Sequence, residues 1–200
     1  MGLIKSNCKI ILGSSSKVRS EIMRNANLEF EVRNPDFDEE IFKNNNPQLK
    51  IQDLVTELAK NKALSIASSN NDELIIGCDQ ICEVEGKRID KSKDKFDAIS
   101  QLKLMSDKTH YQNNSVIIAK NGKIIFEHFT KVELKMHNLT ESQIISYVDA
   151  DNPIGCAGSY KYESLGKILF DKVDGDHFSI LGMNIQQVMS FMFRNNYIKI

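Results

Sequence analysis

The stretch Leu74-Ile75-Ile76-Gly77-Cys78-Asp79-Gln80-Ile81-Cys82 opens as an apolar run and then admits an acid and an amide. An uninterrupted apolar run of this kind marks a strand buried on both faces, and polar groups at the end of such a strand often line a ligand crevice. Asp79 is therefore the first candidate for chemistry. The structural alternative is a turn aspartate that hydrogen-bonds nearby backbone.

Working outward towards the amino terminus, Ile51, Leu54, Val55, Leu58, Ala59, Ala63, Ile66 and Ala67 fall on one face of a predicted amphipathic helix. Ser68 to Asp72 reads as a short loop between that helix and the strand. Further back, Lys9 to Leu12 predicts a strand, Gly13 to Ser16 a turn, and Val18 to Arg24 a helix beginning beside three hydroxyls. Glu29 to Arg33 predicts a second strand. Asp36-Phe37-Asp38-Glu39-Glu40 reads as an acidic loop, followed by a Pro- and Asn-containing connector to Gln48.

Beyond the central stretch, Ile81 to Val84 and Glu85-Gly86 predict a hairpin, and Phe96, Ile99, Leu102 and Met105 a helix. Ser115 to Ala119, Asn121-Gly122 and Lys123 to Phe126 form a second hairpin signal, because Asn-Gly accepts the positive φ values of a type I′ turn. Its return strand is expected to run towards Met136. Thr140 with Gln143 is a capping box for a helix through Val148 that stops before Pro153. Lys167 to Val173 predicts a late strand, Gly175-Asp176 and Leu181-Gly182-Met183 turns, and Ile185 to Phe193 a closing helix. Strands and helices alternate around a hairpin, so the expected fold class is α/β, a mixed β-sheet flanked by helices, in one large domain or two small lobes.

The chain has 200 residues and a formal net charge of -1, with no basic block, which argues against nucleic acid as the partner. No apolar segment approaches the ~18 residues of a membrane span, and Met1 to Ser6 lacks a secretory apolar region, so no membrane and a cytoplasmic location are expected. Cys8, Cys78, Cys82 and Cys156 lack disulfide-framework spacing and read as reduced thiols. His110, His128, His137 and His177 are scattered, without structural-zinc spacing.

Ser14-Ser15-Ser16-Lys17-Val18-Arg19 puts hydroxyls, backbone amides and two cations where a strand turns into a helix, a favourable place for phosphate. A serine N-cap with surface cations is the plain alternative, and the loop is not a Walker A sequence. Lys62 falls at helical spacing from Val55, Leu58 and Ile66, so its ammonium lies on or beside the buried face. It either snorkels or meets an anion. Glu39 belongs to a cluster that otherwise reads as a solvated loop, yet Glu39 with Asp79 makes a pair able to hold Mg²⁺. Lys91 could add a phosphate contact or be a surface lysine. Gly155-Cys156-Ala157-Gly158-Ser159-Tyr160-Lys161-Tyr162-Glu163 is either a tight packed turn or a backbone approach to a ligand, with Glu163 able to accept two hydrogen bonds from a base edge.

Together these segments resemble the Maf family of nucleoside triphosphate pyrophosphatases, from about Ile10 to Phe193. The family's opening Ser-x-Ser-Pro-x-Arg is matched by Ser14-Ser15-Ser16-Lys17-Val18-Arg19, with Lys17 in place of proline. Pro35-Asp36-Phe37-Asp38-Glu39, Leu58-Ala59-Lys60-Asn61-Lys62-Ala63 and Gly77-Cys78-Asp79-Gln80 follow in the family's order, and Asp90-Lys91-Ser92 stands for its Gly-Lys-Pro segment. Gly77 to Gln80 and Cys156 to Glu163 look like the branch acting on 7-methyl-GTP. The dTTP/UTP branch usually has Ala-Asp-Thr and Ala-Gly-Ala-Tyr-Gly-Ile-Gln there.

The resemblance implies a single Maf-like domain over 1–200 with a Maf/ITPase-like two-lobed fold and a central cleft, a nucleoside triphosphate as substrate, and cleavage between its α- and β-phosphates. It implies Asp79 as the catalytic group, Ser14, Arg19, Glu39, Lys62 and Lys91 as substrate-binding residues, and Val18, Gln80 and Glu163 as specificity positions. It also implies a divalent cation, Mg²⁺ or Mn²⁺, with ligands left open, and a homodimer. Position 18 is typically arginine in the dTTP/UTP branch and can be tryptophan in the methylguanine branch, so Val18 matches neither. A dTTP/UTP or other non-standard nucleotide pyrophosphatase is the runner-up. A nucleotide-binding regulator of septum formation is the reading from a different class.

Overall fold

The computed structural model describes residues 4–67 and 72–200. The chain runs β1 (Lys5–Ser6), β2 (Lys9–Gly13), α1 (Lys17–Asn25), β3 (Glu31–Val32), α2 (Glu39–Asn45), α3 (Ile51–Ile66), β4 (Glu73–Val84), β5 (Lys87–Ile89) and α4 (Lys95–Met105). It continues through β6 (Thr109–Lys120), β7 (Lys123–Met136), α5 (Glu141–Asp151), a 3₁₀ turn (Leu165–Leu169), β8 (Phe170–Asp174), α6 (His177–Ile180), α7 (Ile185–Arg194) and β9 (Ile198–Lys199). Hydrogen-bonded neighbours follow the order β3-β2-β4-β6-β7-β8, with β5 on β4, and β1 pairs separately with β9. The sheet is mixed, as expected: β2 lies parallel to β3 and β4, while β5 and β8 pair antiparallel.

Two compact units emerge, Met1–Asp79 with Asn114–Thr130 and Gly182–Ile200, and Gln80–Asn113 with Lys131–Leu181. In the first, Ile11, Ile75 and Ile117 pack with Ala59 and Ala63 of α3. Small residues on that helix let it lie close to the sheet. A Cβ at Gly77 would sit 2.5 Å from the Ala59 carbonyl oxygen and 2.8 Å from the Ala63 nitrogen, so glycine is required at this crossing. In the second unit, Val84, Leu102, Met105, Leu134, Met136, Ile144 and Val148 form the core.

Local chemistry explains most boundaries. The Ser16 side chain accepts from Arg19 N and starts α1; Thr140 and Gln143 form the reciprocal capping box of α5. Glu85-Gly86 and Asn121-Gly122 take the paired positive φ values of tight hairpin turns.

Five expectations need correction. The acidic segment is not all loop, because the Asp38 side chain accepts from Ile41 N and Glu39 and Glu40 occupy the first turn of α2, where carboxylates oppose the helix dipole. The apolar run Leu74 to Ile76 and the segment Ile81 to Val84 are not separate strands: β4 is one 12-residue strand that runs through Asp79 and Gln80. Both polar side chains stay inside it because each has a partner, Lys62 for Asp79 and the Ile180 carbonyl for Gln80. Strand β6 begins at Thr109 rather than Ser115, with buried polar residues carrying its first half. The late strand starts at Phe170, after the 3₁₀ turn; a short helix, α6, capped by Asp176, lies between the two segments expected to turn, Gly175-Asp176 and Leu181-Gly182-Met183. Phe96 lies in α4 as expected but is 82% exposed, off the buried face. The predicted Ser68 to Asp72 loop falls outside the described residues except at Asp72.

Candidate active site

The first unit gathers Asp79, Lys62, Glu39, Ser14 and Arg19. Lys62 Nζ lies 2.5 Å from Asp79 Oδ1 and 2.9 Å from Glu39 Oε1. The lysine and the aspartate are both buried, while Glu39 is partly exposed at the start of α2. The close crossing at Gly77 makes this possible, since it brings α3 against the strand segment that carries Asp79. An ammonium in such surroundings must meet an anion, and here it meets two.

Arg19 is more committed than the sequence suggested. Its Nη1 donates to Ser14 Oγ (3.1 Å) and to the Cys78 carbonyl (3.0 Å), and its Nε donates to the Gly182 carbonyl (2.9 Å). Ser14 Oγ also accepts from Ser16 N at 3.2 Å. The planar guanidinium thus fastens the β2–α1 loop, the residue before Asp79 and the approach to α7 in one geometry. Val18 is half-buried in the first turn of α1.

Asn114 was not foreseen. Its side-chain amide donates to the Asp79 carbonyl at 2.9 Å and is fully buried, so the catalytic candidate is held on its backbone as well as its carboxylate. The polar run Gln112-Asn113-Asn114 directly before Ser115 was the available signal, obscured because it breaks the apolar look of a buried strand.

In the second unit, Gln80 Nε2 donates to the Ile180 carbonyl at 2.7 Å. Lys91 is exposed, and the next residue, Ser92, accepts from Gly155 N at 3.0 Å, tying the Lys91 segment to the start of the 155–163 loop. Glu163 is exposed beyond the buried Tyr160. Burial pushes the Cys78 thiol up to about 11 and Cys82 to about 12, which makes both poor nucleophiles. All four cysteines are free.

A family profile described as Maf-like protein matches residues 9–194. The chain belongs to the Maf family. It is 35% identical over 182 residues to a nucleoside triphosphate pyrophosphatase of Legionella pneumophila (strain Corby), covering 90% of each chain. It is also 30% identical over 194 residues to a protein of the same name from Nitrobacter winogradskyi, covering 96% of each. With one from Ruegeria pomeroyi the identity is 32% over 190 residues, covering 92% of this chain and 94% of the relative.

Glu39 and Asp79 are the two carboxylates of this Maf protein that could supply oxygen ligands to a cation. No group of three or more His, Cys, Asp or Glu able to hold a metal occurs among the described residues. Two carboxylates, Glu39 and Asp79, converge on one ammonium, and Mg²⁺ commonly binds through one or two carboxylates completed by substrate phosphates and water. Among the described residues no helix is long and apolar enough to cross a membrane.

Proposed function

We propose that this chain is a nucleoside triphosphate pyrophosphatase whose preferred substrate is 7-methyl-GTP, hydrolysed to 7-methyl-GMP and pyrophosphate. The observation that carries the reading is the Lys62 ammonium joined to both Asp79 and Glu39, with Arg19 tying the strand-to-helix loop to the residue before Asp79. Asp79 takes a proton from water, the water oxygen bonds to the α-phosphorus, and the bond from that phosphorus to the bridging oxygen breaks. Pyrophosphate leaves with the bonding pair. Lys62 and Lys91 neutralise the triphosphate, while Ser14 and the amides at the α1 N-terminus orient it. Arg19 holds Ser14 and the Cys78 carbonyl in place for both tasks.

Glu39 and Asp79 are the residues that would hold Mg²⁺ or Mn²⁺. Such an ion, when bound, supplies Lewis-acid polarisation of a phosphoryl oxygen.

Glu163 supports the assignment of the base. Its two oxygens suit the guanine N1–H and exocyclic amine, and its charge favours a methylated, cationic ring, whereas a pyrimidine carbonyl asks for a donor. Gln80 is the second selecting residue. Val18 matches neither branch and gives the base only apolar contact, with no aromatic face for a cationic ring; a dTTP, UTP or other non-standard nucleotide is the runner-up.

Pyrophosphate release from 7-methyl-GTP, GTP, dTTP, UTP and CTP, with Mg²⁺ or Mn²⁺ and Asp79→Asn as control, tests this. Selective turnover of 7-methyl-GTP, lowered about 10²–10⁴-fold in the variant, is the expected result. Preference for pyrimidines would overturn the substrate, and nucleotide binding without any turnover would favour the regulator.

A further inference from the structure

Three polar side chains are buried where the 155–163 loop meets β6: His110 is 0%, Gln112 1% and Tyr160 4% exposed. Gln112 Nε2 donates to the Ala157 carbonyl at 3.1 Å and to the Tyr160 hydroxyl oxygen at 2.7 Å. A main-chain carbonyl only accepts, so the orientation of the Gln112 amide is fixed. The Tyr160 hydroxyl also shares a hydrogen bond with His110 Nε2 at 3.1 Å, so the three side chains form one buried chain in which the His110 tautomer decides which of that pair donates.

The loop has no room to settle differently. Gly158 has φ +82°, and a Cβ there would lie 2.9 Å from Cys82 Sγ and 3.4 Å from Gln112 Nε2. Ser159 Oγ donates to Gln101 Oε1 at 2.7 Å, and Lys161 N donates to the Tyr147 hydroxyl oxygen at 2.9 Å. Residues 157, 159, 160 and 161 are therefore pinned immediately before Glu163. The arrangement leaves Gln112 Oε1 and His110 Nδ1 buried without partners, a cost that an apolar filling of the same space would avoid. Packing alone does not account for it.

We propose that Gln112, Tyr160 and His110 are positioning residues for base selection, fixing the loop so that Glu163 meets the base at one depth and angle. The inference rests on the reading of Glu163 as the base-selecting residue. Residues that never touch the nucleotide would then set its specificity.

The test is a double-mutant cycle pairing Tyr160→Phe, and separately Gln112→Leu, with Glu163→Gln, read as kcat and KM for 7-methyl-GTP, GTP and UTP. Each single variant should raise KM for 7-methyl-GTP about tenfold, with kcat within about twofold and a smaller preference over the other bases. In the Glu163→Gln background neither should add a further loss, because the network acts through that carboxylate. Inhibition by inorganic tripolyphosphate should be unchanged throughout. Losses that simply add to that of Glu163→Gln, or a fall in kcat shared by every nucleotide, would overturn the inference and leave the pyrophosphatase reading intact. No pyrophosphate from any nucleotide with the unaltered chain would overturn both. Should Gln112→Leu not fold, Tyr160→Phe decides alone, since it keeps the ring packed 4.8 Å from Phe170.

Discussion

The carbonyl oxygen of Ala59 lies 2.5 Å from where a Cβ on Gly77 would stand. With the Ala63 nitrogen at 2.8 Å from the same point, it shows how close α3 lies to β4 on the helix that carries Lys62 to Asp79. Backbone cannot yield as a flexible side chain does. Gly77→Ala should cost about 1–3 kcal/mol, as overpacking of a fitted core does, and should lower kcat by loosening the Lys62–Asp79 contact. Thermal unfolding together with pyrophosphate release checks both halves; an unchanged melting temperature would refute the packing account.

Lys62 serves two carboxylates, and the two variants that break this cluster should differ. Lys62→Met leaves the buried Asp79 without its ammonium, and loss of one partner of a buried pair costs about 3–5 kcal/mol. Asp79→Asn should cost less, because Lys62 keeps Glu39 at 2.9 Å. Urea denaturation of the two variants gives the order directly.

Arg19 divides its donors among Ser14 Oγ, the Cys78 carbonyl and the Gly182 carbonyl. A lysine retains the charge but cannot present a planar fork to three fixed acceptors. Arg19→Lys should therefore lower kcat by about tenfold or more even though the local charge is preserved, since hydrogen bonds to a charged donor contribute roughly 1.5–3 kcal/mol. Steady-state kinetics at constant ionic strength would show it. Wild-type turnover in the variant would mean that charge, not geometry, is what Arg19 supplies.

Burial holds His110 neutral, lowering its pKa to about 4 from an ordinary 6.5. The unfolded chain then binds a proton that the folded chain refuses. Stability from this residue is complete above about pH 6.5 and falls as the pH drops towards 4, by on the order of 3 kcal/mol in all. Comparing unfolding free energies at pH 7 and pH 4.5 isolates it: the drop should be smaller in His110→Phe than in the unaltered chain.

Much of the site was legible in the residues, for reasons that are local. Ser16 and Thr140 cap helices through bonds to backbone amides a few residues away, and Asn121-Gly122 turns the chain because of its own φ values. Helical spacing alone places Lys62 on or beside a buried face, with snorkelling and an anion partner both open. Helix α2 was hidden because an acidic run reads as solvated loop unless Asp38 is recognised as an N-cap. Strand β4 was divided and β6 cut short because polar residues inside a buried strand look like its end. Only partners distant in sequence, such as Lys62 for Asp79 and Ala157 for Gln112, keep them in the ladder.

By itself the sequence determined the α/β alternation, the hairpins, the helix caps and, through ordered motifs, membership of the Maf family, because each depends on neighbouring residues or on residue identity. Tertiary structure alone decided that one ammonium joins Asp79 and Glu39, that Arg19 is spent on main-chain carbonyls, and that a buried network secures the loop before Glu163. Those outcomes depend on which donor meets which acceptor across long separations, and burial, by withdrawing water as the alternative partner, makes each such pairing obligatory.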